Sequence, residues 1–93
     1  MITPRMKRRI RHELSAEKPT VWIGKNGGSR EVLDEIDSQL ERAEMVKVKI
    51  LKTALAADNA KNIANKIAKQ TASSLVEVRG HNFLLYKKRK KVQ

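Results

Sequence analysis

Apolar side chains recur along this chain with two different periods, and each change of period marks a boundary between helix and strand. Met6, Ile10 and Leu14 fall at i, i+4 and i+8, the spacing of one helical face. Thr3 followed by Pro4 supplies an N-cap with proline at the first helical position, so a helix is predicted from Pro4 to about Leu14. Ser15-Ala16-Glu17-Lys18-Pro19 breaks that period. Thr20-Val21-Trp22-Ile23 is a short β-prone apolar run bounded by Pro19 and Gly24, which reads as a strand buried on both faces. Ser29 can cap a second helix, in which Val32, Leu33, Ile36 and Leu40 form an apolar face while Glu31, Asp34, Asp37 and Glu41 face water.

From Met45 to Leu51 the pattern alternates, with Val46, Val48 and Ile50 on one side and Lys47 and Lys49 on the other, as in a strand with one solvated face. Lys52 to Asn59 has no clear period and reads as a loop. Ala60, Ile63, Ala64, Ile67 and Ala68 mark a third helix capped by Asp58 or Asn59. Leu75 to Val78 and Phe83 to Tyr86 then form two strands around Arg79-Gly80-His81-Asn82, a hairpin spacing. The predicted order is α-β-α-β-α-β-β. Strands separated by helices require crossovers, so the fold class is α/β: a four-stranded mixed sheet with helices packed on it.

Composition limits what such a fold can be for. Ninety-three residues make one domain. Without cysteine the chain has neither a disulfide framework nor a thiolate metal site, and a cytoplasmic location is the expectation. The N-terminus lacks a signal-peptide core, and no apolar run is long enough for a membrane span. Aromatic residues are only 3% of the chain. Trp22, Phe83 and Tyr86 all lie in apolar runs and are expected in the core, so recognition by base stacking is disfavoured.

Charge is more informative. The formal net charge is +11, and it is unevenly spread. Residues 1–30 hold eight Lys or Arg against two acids, residues 31–45 one against six, and residues 46–93 twelve against two. An acidic stretch between basic ones implies one face that attracts a polyanion and another that repels it. On the first helix Arg5, Arg8 and His12 lie opposite the apolar stripe, with Arg9 and Arg11 on its flanks. The run Lys87-Lys88-Arg89-Lys90-Lys91 has little to bury, so residues 88–93 are expected to form a basic flexible tail behind a domain of residues 1–87.

Between the first strand and second helix lies Gly24-Lys25-Asn26-Gly27. Glycines let the main chain approach a sugar-phosphate closely, a following helix start directs N–H groups at an anion, and Lys25 and Asn26 add a point charge and donors. As a bare pattern it is also an ordinary strand-to-helix turn. No catalytic set can be assembled: the acids of the second helix look like its solvated face, and His12 and His81 have no partner at ligand spacing. No cofactor is expected.

Taken in order, the basic opening helix with Arg8 and Arg11, Lys18-Pro19, Ile23-Gly24-Lys25-Asn26-Gly27, Val32-Leu33-Asp34-Glu35-Ile36-Asp37, Val46-Lys47-Val48-Lys49, and Gly80 with Leu85-Tyr86-Lys87 resemble the CRM domain family over nearly the full length. This family of small RNA-binding modules is typified by the bacterial YhbY-like proteins. The resemblance implies a fold like the C-terminal domain of bacterial translation initiation factor three. It also implies RNA binding through the Gly-x-x-Gly loop and neighbouring basic residues, and association with ribosomal RNA or precursor large subunits in single-domain members. Carried onto this chain, the RNA-binding residues are Gly24, Lys25, Asn26 and Gly27, with Arg5, Arg8, Arg9, Arg11, Lys18 and Arg30 widening the basic surface. Gly28 departs from the family, which usually has an aliphatic residue there, and predicts a looser loop. The expected function is non-catalytic RNA binding by a monomer, with ribosomal or precursor large-subunit RNA as partner and no membrane or small-molecule substrate. The alternative is a small basic architectural DNA-binding protein of Alba-like topology.

Overall fold

Residues 2–25 and 27–88 are described by the computed structural model. Their elements run α1 (Pro4–Ser15), β1 (Val21–Ile23), α2 (Arg30–Ala43), β2 (Met45–Ile50), α3 (Lys52–Leu55), α4 (Ala60–Gln70), β3 (Ser74–Arg79) and β4 (Asn82–Tyr86). The sheet order is β1-β2-β4-β3. β1 pairs with β2 in parallel and the other two ladders are antiparallel, so the sheet is mixed, as predicted. One element differs in kind from the expectation. The stretch read as a loop opens with the single turn α3, where the Ala54 and Leu55 N–H groups donate to the Leu51 carbonyl and Ala54 is buried. A single turn is too short to display a helical period.

Two apolar clusters occupy opposite faces of the sheet. Ile36 and Leu40 of α2 and Ile63, Ala64, Ile67 and Ala68 of α4 meet Val21, Ile23, Val46, Val48, Ile50, Phe83 and Leu85. On the other side Ile10 of α1 meets Val76 and Leu84, with Leu14, Met45 and Tyr86 packed around them. Successive side chains of a strand point to opposite faces, so Phe83, Leu84 and Leu85 are all buried and β4 is the strand covered on both sides.

That role was expected of β1, and here the structure corrects the sequence. Val21 and Ile23 are buried, but Trp22 between them is 52% exposed. The reason is placement. β1 lies at the sheet edge, and α1 packs mainly on β3, β4 and β2. Of the three aromatic residues expected inside, Phe83 is fully buried, Tyr86 is half-buried, and Trp22 is at the surface. Lys47 is a second adjustment: only Lys49 is the freely solvated lysine of β2, while the Lys47 ammonium donates to the Leu14 and Glu17 carbonyls at 3.2 and 2.9 Å. It thereby ties the C-terminal end of α1 to the sheet.

Helix ends follow the sequence closely. The Thr3 hydroxyl accepts from the Met6 N–H at 3.1 Å, and the Asn59 side chain accepts from the Asn62 N–H at 2.8 Å, which identifies Asn59 as the α4 cap. Asp58 accepts from the Asn62 side chain and the Asn59 N–H, and these bonds hold its carboxyl below the usual range.

At the other end of α4 the Ser73 N–H donates to the Ala68 carbonyl at 2.9 Å, and the Ala72 N–H to the Lys69 carbonyl at 3.2 Å. This is the Schellman pattern, but the position that glycine usually fills holds Ala72 at φ +52°. The left-handed region costs a residue with a Cβ about 1 kcal/mol. Ala72→Gly is therefore expected to stabilise the fold by about 0.5–1 kcal/mol, read as a higher urea midpoint with an unchanged slope.

Candidate nucleic-acid interface

The chain leaves β1 at Gly24 and enters α2 after a connection of six residues. The Gly27 N–H donates to the Gly24 carbonyl at 2.9 Å, and the Ser29 N–H donates to the Gly27 carbonyl at 3.0 Å. The Ser29 hydroxyl then accepts from the Val32 N–H at 3.4 Å, a long bond at the α2 N-terminus. Gly27 sits at φ +63°, where a side chain is strained. Gly24 has no such reason. Its backbone lies outside the left-handed region, and a Cβ there would meet only Leu51 Cδ1 at 3.8 Å and Thr53 Oγ1 at 3.9 Å, ordinary contacts. The fold tolerates a side chain at 24, so packing does not account for the glycine there. Lys25 beside it is exposed. Asn26 lies outside the described residues.

The remaining candidates fall into separate places. Arg30 is exposed at the first turn of α2, next to the loop. Arg5, Arg8, Arg9 and Arg11 are exposed on α1, across the other three strands. Arg11 lies 3.8 Å from the Glu77 carboxylate, which also has Arg79 at 3.9 Å. Together with Lys47 and Asn82 they line a groove of about 130 Å³ in which the Asn82 Oδ1 is buried without a hydrogen-bond partner. Lys18 precedes β1, at the opposite end of that strand from the loop, in an open groove with Glu13, Glu17 and Arg42. The structure thus groups Gly24, Lys25, Gly27 and Arg30 around one turn, and sets α1 and Lys18 apart from it.

Sequence reasoning missed Trp22 and Arg79. Trp22 is the Cα partner of Lys49, so it shares the solvated face of β2, and the alternation Val-Trp-Ile was the available signal. Arg79 reaches the Arg11 groove through the β3–β4 hairpin. Among the described residues, no group of three or more His, Cys, Asp or Glu could hold a metal ion, and no helix is long and apolar enough to cross a membrane.

Known proteins share the sequence pattern and the fold. The CRS1 / YhbY (CRM) domain matches residues 2–87. A Methanocaldococcus jannaschii protein is 39% identical over 88 residues, which are 95% of this chain and 65% of that protein, so the chain spans just under two thirds of that relative. A Bacillus subtilis protein is 29% identical over 97% of this chain and 92% of its own length. Both are named as probable RNA-binding proteins. The solution structure of a hypothetical protein from Staphylococcus aureus is 30% identical, with a TM-score of 0.79 over 100% of this chain and 95% of the other.

Gly28, the departure expected to loosen the loop, has a packing reason instead. A Cβ there would stand 2.7 Å from Ile67 Cδ1 and 3.0 Å from Gln70 Oε1, and Ile67 is buried. The loop rests directly on α4. Gly28→Ala is expected to destabilise by about 1–3 kcal/mol through overpacking. Adding Ile67→Val, which removes the obstructing methyl, should make the Gly28 substitution cheaper than it is in the native background; a double-mutant cycle in urea reads the coupling.

Proposed function

The chain belongs to the CRS1 / YhbY (CRM) domain family, and from that membership we propose that it is a non-catalytic RNA-binding protein whose loop at residues 24–27 holds the sugar-phosphate backbone. The observation that carries this reading is Gly24: neither backbone strain nor crowding asks for glycine there, yet it stands beside the exposed Lys25 and just before the α2 N-terminus. A phosphate can then approach the main chain without a Cβ in the way, with Lys25 and Arg30 supplying charge. The relatives' names support RNA as the polyanion.

The finer reading is that the RNA is structured ribosomal RNA or its large-subunit precursor, bound by a monomer in the cytoplasm during ribosome assembly. It rests on the resemblance to single-domain family members. On structured RNA the arginines of α1, separate from the loop, would contact a second stretch of backbone. Shape then sets much of the specificity, because phosphate contacts position a protein without reading sequence.

Gly24→Ala is expected to leave the urea midpoint nearly unchanged and to weaken RNA binding, a combination that a plain turn would not produce. Lys25→Ala should cost about 1–3 kcal/mol of binding free energy in filter binding, the range of a charge-assisted hydrogen bond. Unchanged affinity in both folded variants removes the loop from the mechanism. Engagement of about five phosphates on single-stranded RNA gives a log-log salt slope near −3.5. Duplex DNA that competes as well as structured RNA at matched salt would withdraw the RNA assignment.

A further inference from the structure

The described residues include two exposed large hydrophobic side chains, Trp22 at 52% and Leu51 at 37%, and they lie together. Trp22 pairs with Lys49 across the parallel β1–β2 ladder. One step further, the Leu51 N–H donates to the Ile23 carbonyl at 2.8 Å, and Leu51 Cδ1 is the nearest atom to where a Gly24 Cβ would stand. Alternation along a strand puts Trp22 and Gly24 on one face, opposite Val21 and Ile23, which are buried under α2 and α4. The outer face of this edge therefore presents an indole, a lysine, a bare glycine backbone and a leucine as a contiguous patch, with Lys25 immediately beyond.

We propose that Trp22 is a stacking platform for an unpaired RNA base whose backbone continues over Gly24 and Lys25. The proposal rests on the RNA reading above and extends it from backbone to base. An exposed tryptophan offers a flat ring to any base, and a neighbouring cation suits the phosphate that accompanies it. Residues 22 and 24 are roughly 7 Å apart along an extended strand, comparable with one step of an unstacked nucleotide chain. The acids nearest in sequence to this edge do not intrude on the patch: Glu17 precedes β1 at its far end, and Glu31 lies in the first turn of α2 beyond Ser29. The partner is thus a single-stranded segment, whereas the loop alone would accept backbone from either a strand or a duplex.

Trp22 is the sole tryptophan, so its emission reports on this patch alone. The full chain is titrated with a single-stranded RNA of about 12 nucleotides, within the site sizes of such surfaces, and with an abasic ribose-phosphate strand of equal length. Affinity is measured in parallel by filter binding. Quenching by RNA but not by the abasic strand supports stacking. So does a roughly 5- to 100-fold loss of affinity in Trp22→Ala with the salt slope unchanged, largely restored in Trp22→Phe. Equal quenching by both strands, or full affinity in folded Trp22→Ala with native emission unaltered by RNA, overturns the stacking role while leaving the loop's role standing. Emission that shifts with protein concentration and not with RNA overturns it in favour of self-association. If the native chain binds no RNA by filter, the RNA reading itself fails and the platform with it.

Discussion

A helix with its side chains is about 10–12 Å across, and the outer strands of a four-stranded sheet are about 14 Å apart before their side chains are counted. Two helices can cover one face of such a sheet; a single helix cannot cover the other. In this molecule α2 and α4 share one face and α1 alone lies on the opposite one. α1 settles over β3, β4 and β2, so the uncovered strip falls on β1. The exposure of Trp22 and the position of the loop at the end of the same strand both follow from that shortfall in width. Where the sheet is covered, β4 is buried on both sides; where it is not, the chain carries the groups available to a partner.

The loop itself has three glycines, and steric causes account for two of them. Gly27 answers to a left-handed backbone, Gly28 to the methyl of Ile67 on α4, and Gly24 to neither. Steric constraints on 27 and 28 fix the path of the turn, and that path holds the unconstrained Gly24 and the exposed Lys25 at the edge of the sheet. A site of this kind needs a backbone path that the fold itself fixes before any ligand arrives.

Most of the fold was legible because it is written in local chemistry. Thr3-Pro4, Ser29 and Asn59 begin helices by capping, Gly80 at φ +58° turns the hairpin, and the Val46-Val48-Ile50 alternation places β2. What escaped was decided by the position of an element in the sheet, which periodicity does not encode. Val21-Trp22-Ile23 and Phe83-Leu84-Leu85 are both unbroken apolar runs, yet one lies at an edge and the other in the middle. Lys47 and Lys49 share one strand face, yet only Lys47 lies under the end of α1. The candidate site was legible as far as the loop, since strand, glycines and cap are consecutive. That α1's arginines stand away from it depended on the order β1-β2-β4-β3, and the outward ring of Trp22 on the width of the helix layer.

The attachment of α1 is slight. Among the described residues it rests on three buried ones, Ile10, Val76 and Leu84, with Ile2, Leu14, Met45 and Tyr86 partly buried around them, against fourteen buried in the cluster beneath α2 and α4, helped by the Lys47 bonds and the shared Glu77. Units held by little apolar burial open at lower free energy than the whole, so α1 is the segment to detach first. It also carries Arg5, Arg8, Arg9 and Arg11. A polyanion bound across α1 and the sheet would therefore act as a clasp: bound only when the helix is docked, it would convert part of its affinity into local stability of the helix it touches.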